Sequence, residues 1–164
     1  MDKRKNLVVG IALLAIVIGM SQVTIFKTIY LIAKVTPAYE QSGTGEKTLL
    51  LLGDSTGYGT GAKNRSETTA GRIGAEYPDM KIENNSVNGR TAVELLEVVK
   101  KIEGNYDVIL MQIGANDLLA GDSAESVVAT IESLVEILKL RTENIVVLTS
   151  GNIGAAWRFE GERA

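Results

Sequence analysis

Hydrophobic residues in this chain fall into short continuous runs, which alternate with longer segments in which apolar positions recur every three or four residues. Continuous runs cover residues 47–52, 107–113 and 144–150, and a weaker run with alternating apolar positions covers residues 80–87. A continuous run is typical of a strand that is buried on both faces of a sheet. The pattern therefore predicts four strands.

The segments between these runs have the spacing of amphipathic helices. One helix is predicted over residues 67–77 and ends before Pro78, because proline cannot continue a helix. A second helix begins with Thr91 and Glu94, which have the spacing of a capping box, and ends at residues 104–105. Its apolar face would comprise Ala92, Leu95, Leu96, Val99 and Ile102. The face of a third helix, capped by Asp122 or Ser123, would comprise Val127, Ile131, Leu134 and Leu138.

Strand and helix alternate four times over, an order that is typical of parallel strands with helices on both faces of the sheet. We therefore expect an α/β fold, an open three-layer α/β/α sandwich. The 164 residues suffice for one such domain, and their 45% apolar content is enough for a packed core. A second domain is not expected.

The amino-terminal residues follow a different pattern. Residues 6–26 contain no charge and follow three basic residues at positions 3–5. About 20 apolar helical residues span the hydrocarbon core of a membrane. We expect a transmembrane anchor through residues 7–26, with the domain on the extracytoplasmic side. The alternatives are a signal peptide whose cleavage leaves a secreted domain, and a buried core helix.

Residues 36–46 carry Pro, Gly, Ser and Thr, a composition typical of a linker. The predicted organisation is therefore an anchor or signal sequence over residues 1–35, a linker over residues 36–46 and a folded domain over residues 47–164.

Composition narrows the possible functions. The 17 basic and 20 acidic residues give a net charge of -3 without a long run of either sign, so nucleic acid is not an expected partner. The absence of Cys excludes disulfides and thiolate metal sites. The absence of His matters most, because His is the usual base that activates a serine.

A glycine-rich turn, residues 49–62 (LLLLGDSTGYGTGA), follows the first strand. Gly53, Ser55 and Gly57 match G-x-S-x-G of α/β-hydrolases, but that fold has further strands before its nucleophile. A Walker loop is excluded because it requires Gly before its Lys and Ser or Thr after it, whereas Lys63 lies between Ala62 and Asn64. Gly57, Gly59 and Ala62 match the dinucleotide-binding pattern G-x-G-x-x-[GA], but four residues separate Gly57 from the predicted strand end at Leu52, and that pattern requires a tighter turn. The alternative that this segment is only a glycine-rich connection, in which Ser55 has no function, stays open.

Polar groups suited to acyl transfer follow the first three strands. Ser55 follows the first strand, Gly89 the second and Asn116 the third. Functional groups collect at the carboxyl ends of parallel strands. If the sheet order is flavodoxin-like, the first strand lies between the other two and these loops are neighbours. A hydroxyl nucleophile would then meet backbone and amide N–H donors for an oxyanion.

Three blocks at these strand ends resemble the signature of the SGNH hydrolases, also called GDSL esterases and lipases. They are Gly53-Asp54-Ser55, residues 84–91 (NNSVNGRT) and Gly114-Ala115-Asn116-Asp117. The resemblance implies a serine ester hydrolase in which Ser55 is the nucleophile, and Gly89, Asn116 and the Ser55 N–H form the oxyanion hole. It assigns supporting roles to Gly53, Asp54, Gly114 and Asp117. It implies no metal or cofactor, and a small-molecule, lipid or glycan ester as substrate.

The chain departs from this family in one block. The family's D-x-x-H block, which supplies the base and its carboxylate, is missing, and no His is present. We therefore expect a domain that is incomplete at its carboxyl end and has little or no turnover in this form. The alternative is a non-catalytic ligand-binding relative anchored to the membrane. Tyr58 would line the entrance or be an exposed aromatic, and Arg90 would meet a charged substrate or be solvated.

Overall fold

The structure is a computed structural model that describes residues 17–24, 27 and 37–149. Its chain divides into two compact units, residues 1–37 and 38–164. In the first unit, residues 17–24 are helical and exposed. No helix within the described residues is both long and apolar enough to cross a membrane. The predicted anchor through residues 7–26 lies for the most part outside the described residues.

The second unit is built on a four-stranded parallel sheet. Its strands are β1 (Thr48–Gly53), β2 (Lys81–Asn84), β3 (Val108–Ile113) and β4 (Ile145–Thr149). The strand order is β2-β1-β3-β4, with every neighbouring pair parallel. The predicted α/β class is confirmed, and β1 lies between β2 and β3 as a flavodoxin-like order requires.

Helices follow each of the first three strands. They are α1 (Ser55–Tyr58), a 3-10 turn (Arg65–Glu67), α2 (Thr69–Glu76), α3 (Ala92–Val99), α4 (Ala115–Ala120) and α5 (Ala124–Leu138). The helix predicted over residues 67–77 is thus a 3-10 turn and a helix joined at Thr68, whose hydroxyl caps α2 by accepting from the N–H of Gly71. The predicted capping box of α3 is confirmed.

Strand β1 is buried on both faces, which explains its continuous apolar run. Leu50 and Leu52 pack on the face covered by α3 and α5. Leu49 and Leu51 alternate onto the opposite face, where α2 contributes Ala70. Because successive side chains of a strand point to opposite faces, one four-leucine run supplies both cores of a three-layer arrangement.

Part of the predicted linker packs on the domain. Gln41 forms an antiparallel bridge with Ile82 of β2, through backbone N···O distances of 3.1 and 2.9 Å. Tyr39 packs against the apolar face shared by β1 and α2. An edge strand such as β2 presents unpaired backbone groups, and Gln41 pairs with those of Ile82. Linker composition does not reveal such pairing.

Candidate active site

Ser55 is the first residue of α1, immediately after the end of β1. Asp54 caps this helix: its carboxylate accepts from the backbone N–H of Thr56 at 2.8 Å and from the Thr56 hydroxyl at 2.7 Å. Ser55 is half-buried. The N–H of a first helical residue has no partner within its helix. Ser55 thus combines a hydroxyl with a backbone donor.

Gly53 allows this turn to lie against β3. The backbone N–H of Asp54 donates to the carbonyl oxygen of Gln112 at 3.0 Å. A Cβ atom on Gly53 would lie only 2.1 Å from the same oxygen. Glycine is therefore required for packing, since any side chain would displace the strand end that carries Ser55.

A buried asparagine ties α1 to the end of β2. Nδ2 of Asn84 donates to the carbonyl oxygen of Gly57 at 3.0 Å, and Oδ1 of Asn84 accepts from the N–H of Ser86 at 3.1 Å. Gly57 packs so closely here that a Cβ atom would lie 2.5 Å from Oγ of Ser86. The amide of Asn84 therefore links the first sequence block to the second.

The second block continues alongside the first beyond the end of β2. The N–H of Val87 donates to the carbonyl oxygen of Gly53 at 3.0 Å, and the Thr60 hydroxyl donates to Oδ1 of Asn88 at 2.6 Å. Gly89 follows, exposed and at a φ of +80°. This left-handed conformation favours glycine, so the backbone N–H of Gly89 is presented by a turn that other residues disfavour.

Asn116 joins the third block to the second. It is half-buried near the start of α4, and its Nδ2 donates to the carbonyl oxygen of Arg90 at 3.0 Å. A primary amide carries two N–H donors. The bond to Arg90 orients the amide, while the second donor has capacity for an oxyanion.

Two buried aspartates hold the loops that carry these groups. Asp54 and Asp117 are 1% and 2% exposed. Oδ1 and Oδ2 of Asp117 accept from the N–H of Ala92, at 2.9 and 3.0 Å, where α3 begins. The carboxylate thereby joins α4 to α3, just as Asp54 caps α1. Both carboxylates accept from backbone N–H groups at the start of a helix and thereby stabilise the backbone geometry of the loops.

Sheet order and these hydrogen bonds bring the three predicted blocks together at one rim. Asn84, Thr60 and Asn88 connect the first two blocks, and none of the three was predicted individually to have a role at the site. Their signal in the sequence is weak, because asparagine is common in any turn. Tyr58 and Arg90, for which two alternatives stayed open, are both half-buried.

Comparison with protein-family models matched residues 51–163 to the GDSL-like Lipase/Acylhydrolase family. Comparison with curated protein sequences gave no significant match. Among solved structures, the SGNH-hydrolase family esterase AlinE4 is 24% identical with a TM-score of 0.56, over 63% of this chain and 59% of AlinE4.

Two further solved structures are similar. A member of the lipolytic protein G-D-S-L family from Veillonella parvula is 15% identical, with a TM-score of 0.55, over 62% of this chain and 57% of that chain. The psychrotrophic esterase EstA from Pseudoalteromonas sp., inhibited by monoethylphosphonate, is 21% identical, with a TM-score of 0.53, over 71% of this chain and 67% of EstA. These likenesses show the fold. The chain spans about three fifths of the length of AlinE4 and the Veillonella protein.

Proposed function

The chain belongs to the GDSL-like lipase and acylhydrolase family, and from this premise we propose that Ser55 is the nucleophile of a carboxylic ester hydrolase. Oγ of Ser55 attacks the ester carbonyl and loses its proton to a base. The tetrahedral intermediate expels the alcohol, which takes up a proton, and leaves an acyl-enzyme. Water then releases the acid and restores the hydroxyl. Backbone N–H groups of Ser55 and Gly89 and Nδ2 of Asn116 bind the oxyanion.

The observation that carries this proposal is the hydrogen bond from Asn116 to the carbonyl oxygen of Arg90. It joins the loop of one oxyanion donor to the residue directly after the other, Gly89. The order β2-β1-β3 then sets the turn with Ser55 between these two loops. Oxyanion stabilisation requires donors fixed before the reaction, and these contacts fix them without substrate.

These 164 residues contain no His, which is the usual base that activates a serine. A serine hydroxyl without a base is almost wholly protonated at neutral pH and is a poor nucleophile. We propose that the base is supplied from outside these residues, and that the 164-residue chain alone has little turnover. Orientation and oxyanion binding would still accelerate the reaction about 10³ to 10⁴-fold over water, as in serine proteases that have lost a residue of the catalytic triad.

Covalent labelling tests the nucleophile directly. A fluorophosphonate, with added imidazole as base, transfers its phosphonyl group to Oγ of Ser55 and releases fluoride. We expect mass spectrometry to find the adduct on the peptide that contains Ser55. Ser55→Ala removes the label, and Ser66→Ala, an exposed serine in the 3-10 turn, retains it.

An adduct on another residue, or equal labelling of Ser55→Ala, contradicts the proposal. Binding of esters without any adduct, even with imidazole present, would favour a non-catalytic ligand-binding relative instead.

We also propose that residues 7–26 anchor the domain on the extracytoplasmic side of a membrane, where it acts on a small-molecule, lipid or glycan ester. The uncharged run over residues 6–26, with basic residues before it, supports this location. The protein should stay with membranes after alkaline carbonate extraction. Release into the medium as a shorter chain would instead indicate a cleaved signal peptide.

A further inference from the structure

Arg90 lies next to two of the proposed oxyanion donors, Gly89 and Asn116. It directly follows Gly89, and its carbonyl oxygen holds the amide of Asn116. Its guanidinium turns back and donates from Nη1 to the carbonyl oxygen of Asn85. The guanidinium is therefore held beside the end of β2, at the same rim.

The positive charge of Arg90 has no carboxylate partner within the described residues, where the ion pairs are formed by Lys81, Lys100 and Lys139. Glu94 interacts electrostatically with this guanidinium without forming an ion pair, and its Oε2 accepts from the N–H of Thr91 at 3.0 Å in the capping box. Burial lowers the pKa of the Arg90 guanidinium, although arginine keeps its charge in proteins. Because the Arg90 guanidinium forms no ion pair in the part of the chain that the structure describes and donates one hydrogen bond there, to Asn85, it keeps N–H donors for an incoming anion.

Space for a ligand group is present beside this cation. A surface depression of about 450 Å³ lies next to the proposed oxyanion donor Gly89. We call it the Arg90 depression; its lining residues are Val87, Asn88, Gly89, Arg90, Glu94 and Val98. Val87 and Val98 supply an apolar wall, and Arg90 and Glu94 supply groups of opposite charge. The depression therefore suits a short apolar spacer whose anionic end lies against the guanidinium and away from the Glu94 carboxylate.

We propose that the Arg90 depression binds a carboxylate or phosphate carried by the ester substrate, so that the substrates are anionic esters. This inference rests on the proposed function, because the position of the ester is defined by Gly89 and Asn116. Arginine presents several N–H donors in a planar fork that matches carboxylate and phosphate oxygens. Arg90 is thus a specificity-determining residue.

Equilibrium binding tests the inference without relying on turnover. The full chain with Ser55→Ala keeps each ester intact. Monoethyl succinate carries the charge on the acyl side, and acetoxyacetate carries it on the alcohol side; their neutral matches are diethyl succinate and methyl acetoxyacetate. Isothermal titration should show at least one anion bound about tenfold more tightly than its neutral match, a typical worth for one charge-assisted hydrogen-bond pair. The pair that shows this preference identifies the charged side of the substrate.

Variants of Arg90 assign the preference to its charge. Arg90→Gln should remove the tenfold preference and leave binding of the neutral esters unchanged, whereas Arg90→Lys should keep part of it. Arg72→Gln removes an exposed arginine on α2 and should leave the preference intact. Added salt should weaken only the anionic ligands.

The inference is overturned if the Ser55→Ala protein that keeps Arg90 shows no preference for anionic esters, or if the full preference persists after Arg90→Gln. Equal weakening of anionic and neutral esters also overturns it, because that would be a structural effect. If circular dichroism shows that Arg90→Gln is unfolded, Arg90→Lys and the salt dependence decide the matter. Failure of phosphonate labelling at Ser55 affects only the proposed function, since these affinities do not require a nucleophile.

Discussion

Asn116 illustrates how a single side chain joins structure and chemistry in this domain. One N–H group of its amide orients the side chain against the carbonyl oxygen of Arg90. The other is proposed to stabilise the oxyanion. Since the amide is held before the substrate arrives, little reorganisation is needed during reaction, and this is the condition under which one donor has a large effect.

Asn116→Ala should therefore lower the Ser55-dependent rate of ester hydrolysis by about 10² to 10³-fold. Steady-state rates in added imidazole measure this loss. Asn116→Asp is the matched variant, because it nearly keeps the shape but replaces the donor with a negative charge; its loss should be at least as large. A near-normal rate for Asn116→Asp would show that the amide does not donate to the oxyanion.

Asp117, which directly follows Asn116, stabilises the loop that carries the proposed oxyanion donor. Its buried carboxylate accepts from the N–H of Ala92. Asp117→Ala would leave that buried N–H without a partner, at a cost of about 1 to 3 kcal/mol in the free energy of unfolding. Urea unfolding measures the change. Asp117→Asn still offers an acceptor oxygen and should lose less. Equal losses in the two variants would exclude this hydrogen bond as the cause.

At the scale of elements, strands β1 and β3 are fastened at their amino-terminal ends, away from the rim. Oδ2 of Asp107 accepts from the N–H of Thr48 at 2.7 Å and from its hydroxyl at 2.9 Å. The N–H of Asp107 donates back to the carbonyl oxygen of Thr48 at 3.1 Å. These bonds set the start of the register by which Leu49 pairs with Val108.

The Asp107 contact should be sensitive to acid. The hydrogen bonds from the Thr48 backbone and hydroxyl hold the pKa of Asp107 below its usual value. A carboxyl with a lowered folded-state pKa stabilises the fold above its unfolded pKa of about 3.9, and this contribution is lost as pH falls through the folded value.

Asp107→Asn should therefore lower the melting temperature at pH 7, and the difference from the unsubstituted protein should shrink below about pH 4. Thermal melts across pH 3 to 7 measure this. Asp122→Asn, which removes an exposed carboxylate after α4, should have little effect at either end of that range. A difference that stays constant with pH would argue against the charged hydrogen bond.

At the scale of the whole molecule, the absence of His and Cys has a consequence for pH dependence. No side chain in the sequence has an ordinary pKa between pH 5 and 8. The base that we propose to come from outside these 164 residues can be replaced in an experiment by soluble imidazole.

We expect hydrolysis of p-nitrophenyl acetate to be slow and to increase with added imidazole, with a gain that rises as imidazole loses its proton near pH 6.5 to 7. Imidazole itself attacks this ester, so the rate with Ser55→Ala is subtracted. A turnover of about 1 to 10³ s⁻¹ without imidazole, abolished in Ser55→Ala, would contradict the need for an outside base.

Much of the fold was predictable because its determinants are local. The leucines of β1 and the capping box of Thr91 and Glu94 are visible as patterns of neighbouring residues. Predicted boundaries were less accurate. The helix expected to reach residues 104–105 ends at Val99, since the chain then forms tighter turns, in which the N–H of Ile102 bonds to Val99. The short helices α1 and α4 have too few residues to produce a periodic pattern.

The α/β class, the buried strands and the three blocks that resemble one family could all be predicted from the sequence, because periodicity and short motifs are properties of neighbouring residues. The residues that join those blocks could be identified only from the three-dimensional arrangement. Asn84 contacts Gly57 across 27 positions and Asn116 contacts Arg90 across 26, and no spacing along the chain encodes such pairs. They exist because the parallel order β2-β1-β3 brings three strand ends to one rim, where buried backbone groups require partners.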